Sequence, residues 1–387
     1  MKWNSIRLGE VMDVKHGHAF KSEFFGDEGE YVLLSPGNCY ESGGLKLKGE
    51  KEKYYTGEFP DEYLLSEGDM LVVMTDLINT APILGGSFVI PEGNRFLHNQ
   101  RLGLVRITNE QRIDKGFLYY LLNSQGYRAQ IRGSASGATV RHTAPGRIKD
   151  CVIGVPVDVE YQRHVGAILR AYDDLTENNR RRMALLEESA RLLYREWFVR
   201  LRFPGYEHTR IADGVPAGWV RMPLEAALVL QRGFDLPTHV RQEGDVAIYG
   251  STGIVGYHDK AKVSGPGVVT GRSGTLGTVH YVAQDYWPLN TSLWVKEFKR
   301  VTPLFALYLL REMDLKQYNG GASVPTLDRK SAHRVKVLIP SKSLLRTFDD
   351  FCTDVFVQIK NLEKQNEKLR AARDLLLPKL MSGELIA

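Results

Sequence analysis

The chain has only three cysteines in 387 residues, Cys39, Cys151 and Cys352, and no two of them have CxxC spacing. That pattern offers neither a zinc ribbon nor a disulfide framework. No apolar run approaches the roughly 18 residues a membrane-spanning helix needs. The opening Met1-Lys2-Trp3-Asn4-Ser5 lacks the apolar core of a signal peptide. The expected location is therefore the cytoplasm, away from any membrane. Two prolines never stand side by side, so the Asn/Asp-Pro-Pro-aromatic motif by which an amino-methyltransferase holds its target amine is missing. GxxxxGK[ST], which cradles nucleotide phosphates, and HExxH, which holds zinc, are missing too. The Gly-rich stretch Gly265 to Gly277 lacks the lysine and reads as turns between strands. Glu297-Phe298-Lys299 has the short Glu-x-Lys form of a nuclease site without an upstream Pro-Asp. His98-Asn99-Gln100-Arg101 suggests a general base, but a hydrogen-bonding site at a strand edge is the commoner explanation. No catalytic residue and no metal site is expected. Excess charge is small: 51 Lys and Arg face 46 Asp and Glu, a net +5. This permits nucleic-acid binding without demanding it.

What the chain does have is a long-period repeat. Trp3, Leu8, Val14, Gly17 and Phe20 return 216 positions later as Trp219, Leu224, Leu230, Gly233 and Leu236. Phe117-Leu118-Tyr119-Tyr120-Leu121-Leu122 returns as Phe305-Ala306-Leu307-Tyr308-Leu309-Leu310. A small, polar, Gly-rich loop follows each time, Gly133 to Val140 and Gly320 to Leu327. Each loop leads into a short apolar strand closed by proline, at Pro156 and at Pro340.

After each proline the apolar period becomes helical. The first seam reads Ile168, Tyr172, Leu175, Asn179, Leu186 and Leu193; the second reads Val355, Ile359, Leu362, Asn366, Leu369 and Leu376. Both have heptad-like steps amid Glu, Lys and Arg. A helix of about 40 residues is roughly 60 Å long, too long to bury its seam on one small domain. The expected fold is α+β: two mixed α/β domains in tandem (1–156 and 219–340), each followed by a long helix (157–202 and 341–387). A connector (203–218) opens at the helix breaker Phe203-Pro204-Gly205. The helices are expected to pack as an antiparallel coiled coil with pseudo-two-fold symmetry, Asn179 and Asn366 acting as register devices.

The layout resembles the specificity subunit of type I restriction–modification systems over essentially the whole chain. The resemblance is carried by the tandem order and by local words: Glu196-Trp197-Phe198-Val199 after the first helix, Pro216-Ala217-Gly218-Trp219 opening the second domain, Gly271-Arg272-Ser273-Gly274-Thr275-Leu276-Gly277, and Leu377-Pro378-Lys379-Leu380-Met381-Ser382-Gly383-Glu384-Leu385 at the end. It implies a non-catalytic subunit with two target-recognition domains. Such a subunit reads a bipartite, asymmetric target in double-stranded DNA and directs two modification (methyltransferase) subunits and the restriction (translocase/nuclease) subunits to it. S-adenosylmethionine and ATP are then expected on those partners, with no cofactor on this chain.

Base edges are read by polar and basic side chains, and such residues concentrate on loops. The candidates in the first domain are Ser35, Asn38, Thr75, Asp76, Ser134, Ser136, Thr139, Arg141 and His142. In the second they are Ser251, Thr252, Arg272, Ser273, Thr275, Ser323, Thr326, Arg329 and Lys330. The alternative of another class is a coiled-coil protein–protein adaptor that binds no DNA of its own.

Overall fold

A computed structural model describes residues 2–321 and 323–385. Ala322 of the second Gly-rich loop and residues 386–387 of the expected terminal helix lie outside the described residues. The chain forms two compact units. One runs to Asn178 and takes in the stretch from Gln365 onward; the other is Asn179–Lys364. The division falls inside both long helices.

In the first unit, a four-stranded antiparallel sheet has the order Met12–His16, Leu102–Ile107, Met70–Val73, Ser87–Val89. All four residues of Met70–Val73 are buried, as a strand covered on both faces requires. Met70 and Val72 face a core with Leu8, Val14 and the helix Lys115–Asn123. Leu71 and Val73 face a second core with Val32, Phe88 and Phe96. Asp114 starts the helix by accepting the Phe117 amide at 2.9 Å. The helix buries Phe117, Leu118, Leu121 and Leu122, each worth about 1.5–3 kcal/mol relative to exposure. Trp3–Arg7 pairs antiparallel with Val152–Pro156.

The second unit uses the same order: Leu228–Arg232, Ser292–Phe298, Gly267–Gly271, Val279–Val282. Val220–Pro223 pairs with Lys336–Ile339, and the helix Pro303–Glu312 is capped by Thr302. The recurring glycines have one physical cause. A Cβ on Gly17 would lie 2.1 Å from the Asn99 carbonyl oxygen, and one on Gly233 would lie 2.2 Å from that of Leu289. In each unit the strand end passes directly against backbone.

The central helix spans Val159–Tyr194 and widens into a π-turn over Arg195–Val199; the last helix spans Lys342–Ser382. Within the first unit, Tyr161 donates its hydroxyl to the Leu385 carbonyl at 3.0 Å, Arg373 pairs with Asp173, and the Asn366 amide donates to the Thr176 carbonyl at 3.2 Å. Numbers rise on one segment as they fall on the other, so these segments run antiparallel. Within the second unit, Tyr194 and Phe198 pack on Phe348 and Phe305 at ring separations of 5.0–5.9 Å.

Buried or half-buried positions on the last helix step by three and four through Leu345, Phe348, Cys352, Val355, Ile359, Leu362, Asn366, Leu369, Arg373, Leu376 and Leu380, as the sequence reading expects. On the central helix the stepping runs through Val165, Leu169, Tyr172, Thr176, Asn179, Met183, Leu186, Ala190 and Leu193. One expected seam position needs correcting. Leu175 is 51% exposed while Thr176 is 7% exposed; Ile168 is half-buried and packs on the core beside the fully buried Leu169. Thr176 is tolerated inside because its hydroxyl donates to the Tyr172 carbonyl one turn earlier.

Candidate nucleic-acid interface

The same loop pairing recurs beyond the same sheet strand in each unit. In the first unit, Met70–Val73 leads into Thr75–Asp76, which pairs with Arg141–His142. Ser136 and His142 exchange two backbone hydrogen bonds of 2.9 Å, and the Thr75 hydroxyl shares a hydrogen bond with His142 Nδ1. Arg141 turns its guanidinium onto the Gly137 and Arg132 carbonyls, and Arg147 donates to the Ser134 carbonyl. Thr75, Asp76, Ser134, Ser136, Arg141 and His142 are thus brought together, with Thr139 on the exposed part of the same loop.

In the second unit, Gly267–Gly271 leads into Arg272–Ser273. Ser273 bridges Thr326, the Leu327 amide donates to the Arg272 carbonyl at 2.8 Å, and the Gly274 amide donates to the Pro325 carbonyl. The Thr278 hydroxyl ties this turn to the Ser251 carbonyl. Arg272, Ser273, Thr326 and Ser251 therefore gather as their counterparts do. Thr252, Thr275 and Ser323 are exposed on the adjoining turns. Arg329 and Lys330 lie in the short helix Arg329–Arg334, capped by Asp328; Arg329 reaches the Leu230 carbonyl at 3.3 Å.

Three candidates present no polar atom at a surface. Asn38 is fully buried, accepting from Ser35 and Lys48 and donating to the Lys46 carbonyl and to Glu52. Ser35, half-buried, belongs to that cluster. Thr75 is 5% and Asp76 1% exposed. Asp76 accepts the Ile78 amide at 2.9 Å and the Ile83 amide at 2.8 Å, so both oxygens hold the loop. These residues shape the surface and do not form it. In polar loops Asn and Asp serve local turns as readily as ligands, and the sequence pattern does not separate the two uses.

The structure also adds residues to these surfaces that are not among the polar candidates of the sequence pattern. Leu77 and Ile78, 64% and 55% exposed, form the tip held by Asp76. Asn319 organises the second Gly-rich loop by accepting the Gly321 and Thr326 amides. Two adjacent large apolar residues inside a polar loop were the available signal for the first; nothing marked the second. His98 is fully buried and bonds the Leu102 carbonyl through Nε2 at 2.9 Å, a structural placement. The three cysteines are buried and free. Burial pushes the Cys39 thiol up to about 12 and that of Cys151 to about 11, which leaves them poor nucleophiles. Among the described residues no group of His, Cys, Asp and Glu is placed to hold a metal ion, and no helix is long and apolar enough to cross a membrane.

Residues 1–188 match the type I restriction modification DNA specificity domain family. The type I restriction enzyme MjaIX specificity subunit of Methanocaldococcus jannaschii is 23% identical over 340 residues, 80% of this chain and 77% of that protein. Over most of its length the chain is therefore similar to type I restriction–modification specificity subunits, and its first 188 residues match their DNA specificity domain. The EcoBI specificity subunit of Escherichia coli is 27% identical over 40% of this chain and 29% of its own length. A crystal structure of the type I restriction–modification S subunit from M. genitalium shares the fold, with a TM-score of 0.59 at 19% identity, covering 98% of this chain and 96% of that one. The matched family is a DNA specificity domain, and the paired loops are the candidate surfaces for such a role.

Proposed function

We propose that the chain reads a bipartite, asymmetric DNA target and directs methyltransferase and restriction subunits to it, without a catalytic site of its own. The observation that carries this reading is the duplicated loop pairing built from unlike residues: Thr75-Asp76 against Arg141-His142 in one unit, Arg272-Ser273 against Thr326-Leu327 in the other. Equivalent scaffolds with different side chains suit two different half-sites on one chain, whereas a symmetric dimer reads a palindrome. On this reading the tandem units are target-recognition domains and the long helices pair as a coiled coil that sets the spacing of the half-sites. Each helix contributes residues to both units, which supports that role. S-adenosylmethionine and ATP belong to the partners.

Single-molecule methylome sequencing of the host with and without the gene is the direct test. Loss of one split adenine-methylation motif is expected; an unchanged methylome refutes the reading. In vitro, Arg272→Ala should weaken binding through one half-site, by about tenfold where the guanidinium contacts a guanine. The affinity should fall steeply with salt. Failure to bind any duplex even with a methyltransferase partner present would favour a purely protein-binding adaptor.

A further inference from the structure

We propose that the Asn179–Lys364 unit carries a binding site for a phosphoryl-bearing anion, separate from the reading loops. A cavity of about 580 Å³ opens between the strand Val220–Pro223, the turn Lys299–Thr302 and the first turns of the last helix. Its floor is apolar, formed by Val220, Met222, Val301 and Leu345; its lining also includes Lys299, Arg300, Lys342 and Arg346. All four cations are exposed.

The charge around this opening is not neutralised by the protein. Among the described residues no ion pair engages Arg300, Lys342 or Arg346, and the Lys299 ammonium meets only the Glu225 backbone carbonyl at 3.1 Å. Lys299 and Arg300 are adjacent, and Lys342 and Arg346 stand one helical turn apart, an arrangement that repels. The one carboxylate in the lining, Asp349, is half-buried and accepts the Thr302 hydroxyl at 2.7 Å. Burial raises its pKa, which weakens its value as a counter-charge. A chain whose acids and bases nearly balance overall thus gathers four cations and one acid around a single hollow.

The unpaired charge is particular to this copy of the repeat. Aligning the two helical seams places Gln162 of the first unit where Leu345 stands. Gln162 is fully buried, accepts the Asp114 amide, and donates to the Arg112 and Pro156 carbonyls. The cations beside it are paired, Arg112 with Glu10 and Arg163 with Glu160. Among the described residues, one copy of the repeat pairs its cations at this position and the other leaves them without an ion pair.

No aromatic side chain lines the cavity, so base stacking is not what it offers. Two arginines and two lysines match an anion with several oxygens and more than one charge, because the guanidinium fork fits phosphate bidentately. The phosphoryl group could come from a small free phosphate or from a DNA backbone. The site does not depend on the assignment of the loops.

The test is isothermal titration of the full chain with inorganic pyrophosphate at low ionic strength, where screening is weakest. Saturable one-site binding is expected. It should weaken at least tenfold in Arg300→Ala and in Arg346→Ala, vanish in the double variant, and persist in Arg272→Ala. These side chains are exposed, so thermal melts of the variants should match the parent. No saturable binding by the parent, or an unchanged Kd in the double variant, overturns the proposal. Repeating the titration with a bound 30-base-pair duplex separates the sources. Displacement of pyrophosphate assigns the site to backbone phosphate, and independent binding assigns it to a free anion.

Discussion

Asp76→Ala tests how the first reading surface is held in shape. The carboxylate is 1% exposed and spends one oxygen on the Ile78 amide and the other on the Ile83 amide. A hydrogen bond to a charged acceptor contributes about 1.5–3 kcal/mol. The two freed amides sit beside the exposed Leu77 and Ile78, where water can reach them, so the lower half of that range applies to each. A further cost comes from Arg128, 4% exposed, whose guanidinium loses the favourable field of Asp76. The expected loss is about 3–5 kcal/mol. Asp76→Asn keeps one acceptor oxygen and should cost about 1–2 kcal/mol. Urea titration followed by circular dichroism measures both. Fluorescence anisotropy with a duplex carrying the host's methylated motif should show at least tenfold weaker binding for the alanine variant, because Thr75, His142 and the Leu77–Ile78 tip lose their anchor. Parental urea midpoints for both variants would refute the structural reasoning. A destabilised variant with parental affinity would remove this loop from the interface.

Three further outcomes are expected. Gly17→Ala and Gly233→Ala should each lower stability by about 2–3 kcal/mol, because the new methyl meets a backbone carbonyl that cannot move aside cheaply; parental melting of either variant would show that the close approach is not real. His98 should make the first unit acid-sensitive. Burial depresses its folded pKa from 6.5 to about 4, so the unfolded chain takes up the proton first. Stability is complete above pH 6.5 and declines as pH falls toward 4, by up to about 3 kcal/mol. A His98→Gln variant with the same pH slope would reject that cause. Asn366→Leu should raise the melting temperature while loosening the pairing register, seen as self-associated species in light scattering; a destabilised, monodisperse variant would count against the register role.

The seam of the last helix was legible because its heptad is spelled in apolar residues, with Asn366 as the expected polar interruption. On the central helix the same periodicity misled by one position: Thr176 is buried and Leu175 is not. A hydroxyl can satisfy itself on its own helix, so hydrophobicity alone does not locate the seam. At the loops, the sequence marked the segments that the structure joins, Thr75–Asp76 with Arg141–His142 and Arg272–Ser273 with Thr326. It could not tell surface from support: Asn38 and Asp76 have the composition of ligands and the burial of anchors.

By itself, then, the sequence determined that the chain is a duplication, that each copy ends in a long amphipathic helix, and that particular glycines recur. These are consequences of local chemistry and period. Only the tertiary structure decided which polar atoms remain unspent after the loops close on one another, and which of the two copies leaves its cations without an ion pair. Both depend on partners supplied by residues distant in the chain, and hydrogen-bonding capacity read along a sequence does not say whether a neighbour has already used it.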